Sequence, residues 1–483
     1  MFTKIELPIS SISRNLIVKN SFWGIFAQVS QSILLSIFFV ITAKKYSTYD
    51  FSNYIIVTVM CQLIIAFSQL GLGHWFIREI STTIDKEDLM SKFFKIQLVL
   101  GVVFYFVNII IIYALYDNRE IHILAIIFGL NIIFDNMINA IKGLNIAMFD
   151  QKRTFIILTI ESILKFIIAC LLFIYPFSIL ILTIAMIIVR FISLNLFLTF
   201  GSSNILNIRK IYKYKININD LKILIFANWP FIIVGASSVL NWRISTIIIS
   251  KFLSPIDIAN YEISYKLFAI AQILPIIVSS SIFPILIKLF NQGEINNFKS
   301  FYRTVQIGYF LFGLLSYSFV YSFANYILHI AFGQMYINAT IYSQQMFLTM
   351  LLFPTVFLQA NMLIAMKLEK LDMWINVITL LINVIFCILG LHYVKSLTVI
   401  NFAIFISFLV FHILQDVSLF RKKISELKNI IEFYGLSLLT VIFYIFSSKL
   451  INPLLCFFLY WLIILGYFII IPKKNKTMFF TLK

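Results

Sequence analysis

The stretch FFKIQLVLGVVFYFVNIIIIYALYDNREIHILAIIFGLNIIFDNMINAIKGLN, residues 93–145, is two long apolar runs folded back on each other about the short charged turn Asp117-Asn118-Arg119-Glu120. Each run is about 24 residues, or ~36 Å of α-helix, enough to cross a hydrocarbon layer ~30 Å thick. The runs are continuously apolar and do not alternate as barrel strands would, so the hairpin reads as two transmembrane helices. The pattern extends in both directions along the chain. Of 483 residues, 61% are apolar and 12% charged. Soluble domains are about 25% charged, which excludes an ordinary water-soluble enzyme. Apolar runs bounded by charges or turn residues fall at 21–43, 49–71, 93–116, 122–145, 154–175, 177–200, 221–250, 256–289, 303–330, 340–366, 371–394, 396–420, 427–448 and 450–471. The fold class is therefore an all-α polytopic membrane protein of about 14 transmembrane helices.

The net charge of +18 would suit a nucleic-acid partner if the cations lined a soluble face. They lie between apolar blocks instead, so no nucleic acid is expected, and the cations set topology. Lys165, Arg190, Arg243 and Lys266 fall inside helices, and Lys44, Lys45, Arg119, Lys251, Lys395 and Lys449 lie in loops on one side. All the other Lys and Arg sit on the side of the two termini, which places both termini in the cytoplasm. The four cysteines lie inside apolar blocks without CxxC spacing, so neither disulfides nor zinc are expected. Residues 1–20 are mixed and polar and show no cleavage site, so the first span reads as an uncleaved anchor.

Residues 44–54, KKYSTYDFSNY, align with 251–261, KFLSPIDIANY, matching Lys44/Lys251, Ser47/Ser254, Asp50/Asp257, Asn53/Asn260 and Tyr54/Tyr261. The match carries the loop after the first span onto the loop after the seventh. An even number of spans separates them, so the two halves share one orientation, as in transporters built from parallel repeats. A helix-starting turn used twice would leave the same trace, since Ser, Pro and Asp are good turn and cap residues. Duplication predicts a tail (1–20), an N-terminal six-helix bundle (21–205), a cytoplasmic linker (206–220), a second six-helix bundle (221–421), and two extra helices with a tail (422–483). The two bundles would enclose a central cleft.

The stretch 242–290, with Ser254-Pro255, Asp257, Tyr261, Phe283-Pro284 and Lys288, resembles helices 7 and 8 of the polysaccharide-repeat (O-antigen) flippases of the multidrug/oligosaccharidyl-lipid/polysaccharide exporter superfamily. Gln69-Leu70-Gly71-Leu72-Gly73 followed by Arg78-Glu79 is similar to that family's pattern at the end of helix 2, with Gln69 where an acidic residue is frequent and Trp242 where many relatives are polar. The resemblance implies a flippase that moves undecaprenyl-pyrophosphate-linked oligosaccharide repeat units across the bacterial inner membrane. It also implies membrane lipid, a polysaccharide polymerase and a chain-length regulator as partners.

Charge inside the spans is the most informative local feature. A Lys or Arg at the bilayer centre costs about 2.5–3.5 kcal/mol on insertion scales and usually faces a cavity or a partner. Counted along the helices, Arg243, Lys266, Lys165 and Arg190 all come roughly 12–18 Å in from a helix end, near the midplane. They are the candidate lining of a path for an anionic head group, with Arg243 foremost and Arg78 at the cytoplasmic entrance. Against that, Glu161 precedes Lys165 and Glu262 precedes Lys266 by four residues, the spacing of an ion pair on one helix face, and Asp135 could reach an arginine. Asp135, Glu161 and Glu262 are the candidates for coupling to H⁺, with Na⁺ equally open. Pro230, Pro275 and Pro354 are candidate hinges, and Pro284 also falls within a helix. The chain has no P-loop, HExxH or acidic metal cluster, so no cofactor or metal is expected.

Three rivals stand beside the flippase. A membrane polysaccharide polymerase would need a sizeable surface loop for catalysis, and the outward loops are short. A multidrug exporter would share the fold. A peptidoglycan lipid-precursor flippase would share the fold and the cationic midplane, and is the hardest to separate.

Overall fold

The computed structural model describes residues 14–202, 205–206, 210–211, 214 and 218–470. Among them there are helices and turns and no strands. The helices are α1 (Arg14–Lys45), α2 (Thr48–Ser68), α3 (Leu72–Thr82), α4 (Lys86–Leu115), α5 (Arg119–Ala147), α6 (Gln151–Ile174), α7 (Ile179–Leu196), α8 (Ile218–Phe252), α9 (Pro255–Asn291), α10 (Ile295–Phe332), α11 (Ala339–Met346), α12 (Phe353–Ala365), α13 (Glu369–Tyr393), α14 (Leu397–Arg421), α15 (Leu427–Leu450) and α16 (Pro453–Ile470). Each apolar run read from the sequence overlaps helix among the described residues, although the runs 49–71 and 340–366 are not single unbroken α-helices. Among the described residues, eleven helices are long and apolar enough to cross a membrane, as befits a multi-pass membrane protein.

The chain forms two compact units, Met1–Ala236 and Ser237–Lys483, and the division falls inside α8. Most of the predicted linker, 206–220, and the tails beyond residues 14 and 470 lie outside the described residues. In the first unit α4 packs along α5, α1 along α6, and α7 against α5 and α6. The α4–α5 contact is close because Gly101 faces it: a Cβ there would lie 2.9 Å from the Ile133 Cα. In the second unit α13 packs along α14, and α9 against α11 and α12. Gly313 of α10 allows a similar approach, since a Cβ would stand 2.7 Å from the Met350 carbonyl.

The repeated turn performs the same task twice. Ser47 Oγ accepts from the Asp50 amide at 3.1 Å and donates to the Asp50 carboxylate at 2.8 Å, capping α2. Ser254 and Asp257 form a full capping box at the start of α9, with Pro255 in the first turn. Asn53 and Asn260, the next matched pair, are both buried.

Two local features differ from the sequence reading. The span read as 49–71 ends at Ser68, and Leu70 and Gly71 both take left-handed φ, 48° and 58°, to turn the chain into α3. The loop expected after residue 71 thus contains an eleven-residue helix. Its Leu72, Phe76 and Ile80 are fully buried against α4 and α5 while Arg78 points outward. A single apolar stripe on an otherwise polar segment is too short to read as a span. The run read as one helix, 340–366, is broken: α11 gives way to a 3₁₀ stretch, Phe347–Leu351, before α12 begins with Pro354 in its first turn. Hydropathy does not register a change of helical pitch.

Candidate functional site

Among the described residues, each unit holds a cluster that joins basic side chains to a buried glutamate part-way along its helices. In the first, Glu161 of α6 is the centre. Its side chain is 1% exposed and accepts from Lys165 Nζ one turn on at 2.6 Å. It also accepts from Arg190 Nη1 at 2.7 Å and Ser193 Oγ at 2.7 Å, both on α7. The other terminal nitrogen of Arg190 reaches Asp135 on α5. Lys142, which the sequence alone assigns to the cytoplasmic side, stands on α5 within electrostatic reach of Glu161 and Lys165. The cluster thus sets three cations against two carboxylates, and it ties α5, α6 and α7 together.

The second cluster spans the capped turn between α8 and α9. Arg243 Nη1 donates to Glu262 Oε2 at 3.0 Å, and the Thr246 hydroxyl donates to Glu262 Oε1 at 2.5 Å. The guanidinium lies over the Tyr265 ring, 4.3 Å from its centroid, a cation–π contact that the planar cation suits. Lys266, one turn beyond Glu262, interacts electrostatically with both Glu262 and Arg243. Here two cations meet one carboxylate. Next to Arg243, Trp242 is the hub of an aromatic cluster with Phe268, Phe353 and Phe408, which ties α8, α9, α12 and α14 together.

In both clusters the central glutamate is sunk and its cations sit nearer the surface, whereas Asp135, at 17%, is slightly more exposed than Arg190. Glu161 and Glu262 side chains are 1% and 6% exposed, against 14% for Arg190 and 19% for Lys165 and Arg243. The helical spacing Glu161/Lys165 makes its predicted ion pair. Arg190 and Arg243, with no acidic residue at that spacing, find their carboxylates on neighbouring helices. Arg78 stays outside both clusters, exposed on α3.

Of the prolines, Pro354 lies at the restart of the broken helix. Pro275 and Pro284 lie inside α9, where Tyr309 of α10 donates to the Pro275 carbonyl at 3.0 Å and meets Ser279 Oγ at 2.8 Å. The Pro230 backbone belongs to α8, and its side chain lies outside the described residues.

Comparison with known proteins places this arrangement. The structure of the lipid II flippase MurJ in an inward closed conformation superposes with a TM-score of 0.72 at 17% identity, covering 93% of this chain and 98% of that one. An inward-facing multidrug resistance MATE family transporter of the MOP superfamily gives 0.70 at 14% identity, over 82% and 95% of the two chains. A MOP superfamily transporter from Pyrococcus furiosus, described as having a binding pocket of reversed polarity, gives 0.63 at 14% identity, over 86% and 96%. The fold is that of the MOP-superfamily transporters. No curated protein matches the chain. Residues 17–290, more than half of its length, match the family described as polysaccharide biosynthesis protein, and the chain belongs to that family.

Proposed function

We propose that the protein is a flippase that translocates undecaprenyl-pyrophosphate-linked oligosaccharide repeat units, of the O-antigen or a related surface polysaccharide, across the bacterial inner membrane by alternating access, with both termini cytoplasmic. The observation that carries this is the pair of arginines held at buried glutamates part-way along the helices, Arg190 at Glu161 and Arg243 at Glu262, with Lys165 on the first and Lys142 and Lys266 within electrostatic reach of the two. A pyrophosphate is the chemical group such clusters suit, because a phosphorylated head pays a large desolvation penalty that guanidinium and ammonium groups offset. Cationic drug substrates would call for the opposite balance. The family of the chain favours a saccharide cargo, and a protein described as a lipid II flippase shares the fold.

The geometry suggests how passage would proceed. Arg190 and Arg243 are each held by a buried glutamate and would offer their guanidinium nitrogens to a passing head group. The incoming pyrophosphate competes for the same guanidinium nitrogens, and a carboxylate released from its cation can take up a proton. Asp135, Glu161 and Glu262 would in this way link substrate entry to H⁺ uptake. Pro275 and Pro354 mark where α9 and the broken helix would flex, with Pro230 the corresponding position in α8. Arg78 would meet the head group at the cytoplasmic entrance. Translocation requires no covalent chemistry, and a polymerase and chain-length regulator would take the product on the far side.

The test is complementation of a bacterial strain lacking its surface-polysaccharide flippase, scored by the lipopolysaccharide ladder on a gel. Restoration of the ladder is expected. Rescue instead of a strain depleted of its peptidoglycan-precursor flippase, without a ladder, would favour that rival.

A further inference from the structure

A third polar cluster lies in the second unit, built from residues outside both charged clusters. His412 and Asp416, one turn apart on α14, are buried, and His412 Nδ1 stands 2.9 Å from Asp416 Oδ2. Tyr434 of α15 closes the triangle, donating to Asp416 Oδ2 at 2.9 Å and meeting His412 Nδ1 at 2.5 Å. From α12, Gln359 donates to Asp416 Oδ1 at 2.6 Å and to the Tyr302 hydroxyl of α10 at 3.1 Å. From α13, Asp372 accepts from Gln415, the neighbour of Asp416, at 3.2 Å. Four helices thus face α14 here with two tyrosines, a glutamine and a second carboxylate. Among the described residues, His412 is the only cationic partner within ion-pair distance of Asp416.

That leaves two buried carboxylates and one imidazole, a poor balance for a low-dielectric site. The two acids are not equivalent. Asp372 lies in the first turn of α13, where the helix dipole supports a negative charge, and Asn376 also donates to it at 3.2 Å. Asp416 lies near the C-terminal end of α14, where the dipole opposes one. His412 Nε2 is buried with no hydrogen-bond partner among the described residues, and its ring stacks on Phe433 at 4.8 Å.

Two cavities lie beside residues that touch the cluster. A cavity of about 230 Å³ between α10, the 422–426 turn and α15 is lined by Tyr302, Arg303, Gln306, Ser425 and Asn429. A second of about 130 Å³ is lined by Gln306, Glu432 and Phe433. Arg303 is engaged with Asn429 and Glu432 at this mouth, outside the triangle. Tyr302, joined to Asp416 through Gln359, lines the first cavity, and Phe433, stacked on His412, lines the second, while His412, Asp416 and Tyr434 line neither. Among the described residues no group of three His, Cys, Asp or Glu could hold a metal ion, so the ligand this site suits is the proton.

We propose that His412, Asp416 and Tyr434 form a proton-binding site, exchanging through the Tyr302-lined cavity, that couples transport to the proton gradient. The proposal rests on the transporter reading above. A proton carried by Asp416 itself, rather than by the imidazole alone, removes its negative charge. Its charge-assisted bonds to Gln359 and Tyr434 then become ordinary ones, roughly half as strong, which loosens α12 and α15 from α14. The loosened α12 is the segment that restarts at Pro354 after the 3₁₀ break.

The experiment uses the full-length protein in liposomes, with infrared difference spectra between acid and neutral buffer and a fluorescent polyprenyl-pyrophosphate oligosaccharide to follow flipping. The expected result is a carboxylic-acid C=O band on acidification that disappears in Asp416→Asn and shifts while persisting in Tyr434→Phe. An imposed pH gradient should accelerate flipping by Asp416→Asn less than it accelerates the unmodified protein, the remaining response being that of Asp135, Glu161 and Glu262. An unchanged band in Asp416→Asn, or an unchanged gradient response, overturns the proposal; the milder Tyr434→Phe carries the test should Asp416→Asn fail to fold. Absence of flipping by the unmodified protein with the titration intact would instead overturn the flippase reading and leave the proton site standing.

Discussion

Arg243 and Glu262 are joined at 3.0 Å across the turn between α8 and α9, with the carboxylate nearly buried and the guanidinium over the Tyr265 ring, 4.3 Å from its centroid. Taking the carboxylate away leaves a cation stranded in a mostly desolvated place, which costs more than losing the pair as a whole. Glu262→Ala is therefore expected to destabilise the protein by about 3–5 kcal/mol. Arg243→Met combined with Glu262→Leu should retain most of the stability. Thermal unfolding of the purified variants in detergent distinguishes them: a double variant less stable than Glu262→Ala would contradict this description of the pair.

A matching effect is expected at the two capped turns. Ser47→Ala and Ser254→Ala each remove a side-chain cap worth about 1 kcal/mol. They lie at different helix starts without a shared partner, so the losses should add. Equal shifts in the unfolding midpoint, summing in the double variant, would show that the repeated sequence serves one structural purpose twice. A neutral Ser254→Ala would contradict it.

The close approach of α10 to the 3₁₀ stretch depends on Gly313, whose missing Cβ leaves room for the Met350 carbonyl. Gly313→Val should push the two apart at a cost of about 1–3 kcal/mol, read as a lower midpoint or reduced membrane yield. Gly308 on the same helix, with open space where a Cβ would stand, is the control: Gly308→Ala should leave both readouts unchanged.

At the α2–α3 turn, Gly71 has φ of +58°. Gly71→Val forces a β-branched residue into the left-handed region and should cost more than Gly71→Asn, which tolerates that region. Protease susceptibility of the 69–83 segment in membranes would reveal the difference. Equal susceptibility of the two variants would mean that the turn is not held by its backbone.

How far these features can be read from sequence depends on the range of the interaction. The helical, membrane-spanning character follows from hydropathy alone, a local property, and eleven helices among the described residues are long and apolar enough to cross a membrane. The Glu161–Lys165 pair follows from helical spacing. The Arg190 bonds to Asp135 and Glu161, and the reach of Lys142 toward the same cluster, depend on how α5, α6 and α7 pack, and that does not appear along the chain. His412 and Asp416 do stand at pairing distance in sequence. Their significance emerges only when Tyr434 and Gln359 arrive from two other helices. Helix α3 and the break before Pro354 escape a hydropathy reading because both are shorter than a span.

The central role given to the cations is tested most directly by the surface-polysaccharide ladder of a flippase-deficient strain carrying Arg243→Ala, with the variant's membrane level matched to the unmodified protein. The expected result is loss of the ladder, with Arg243→Lys restoring it weakly because a single ammonium replaces a bidentate guanidinium. A full ladder from Arg243→Ala at normal level would contradict passage of an anionic head group past that arginine.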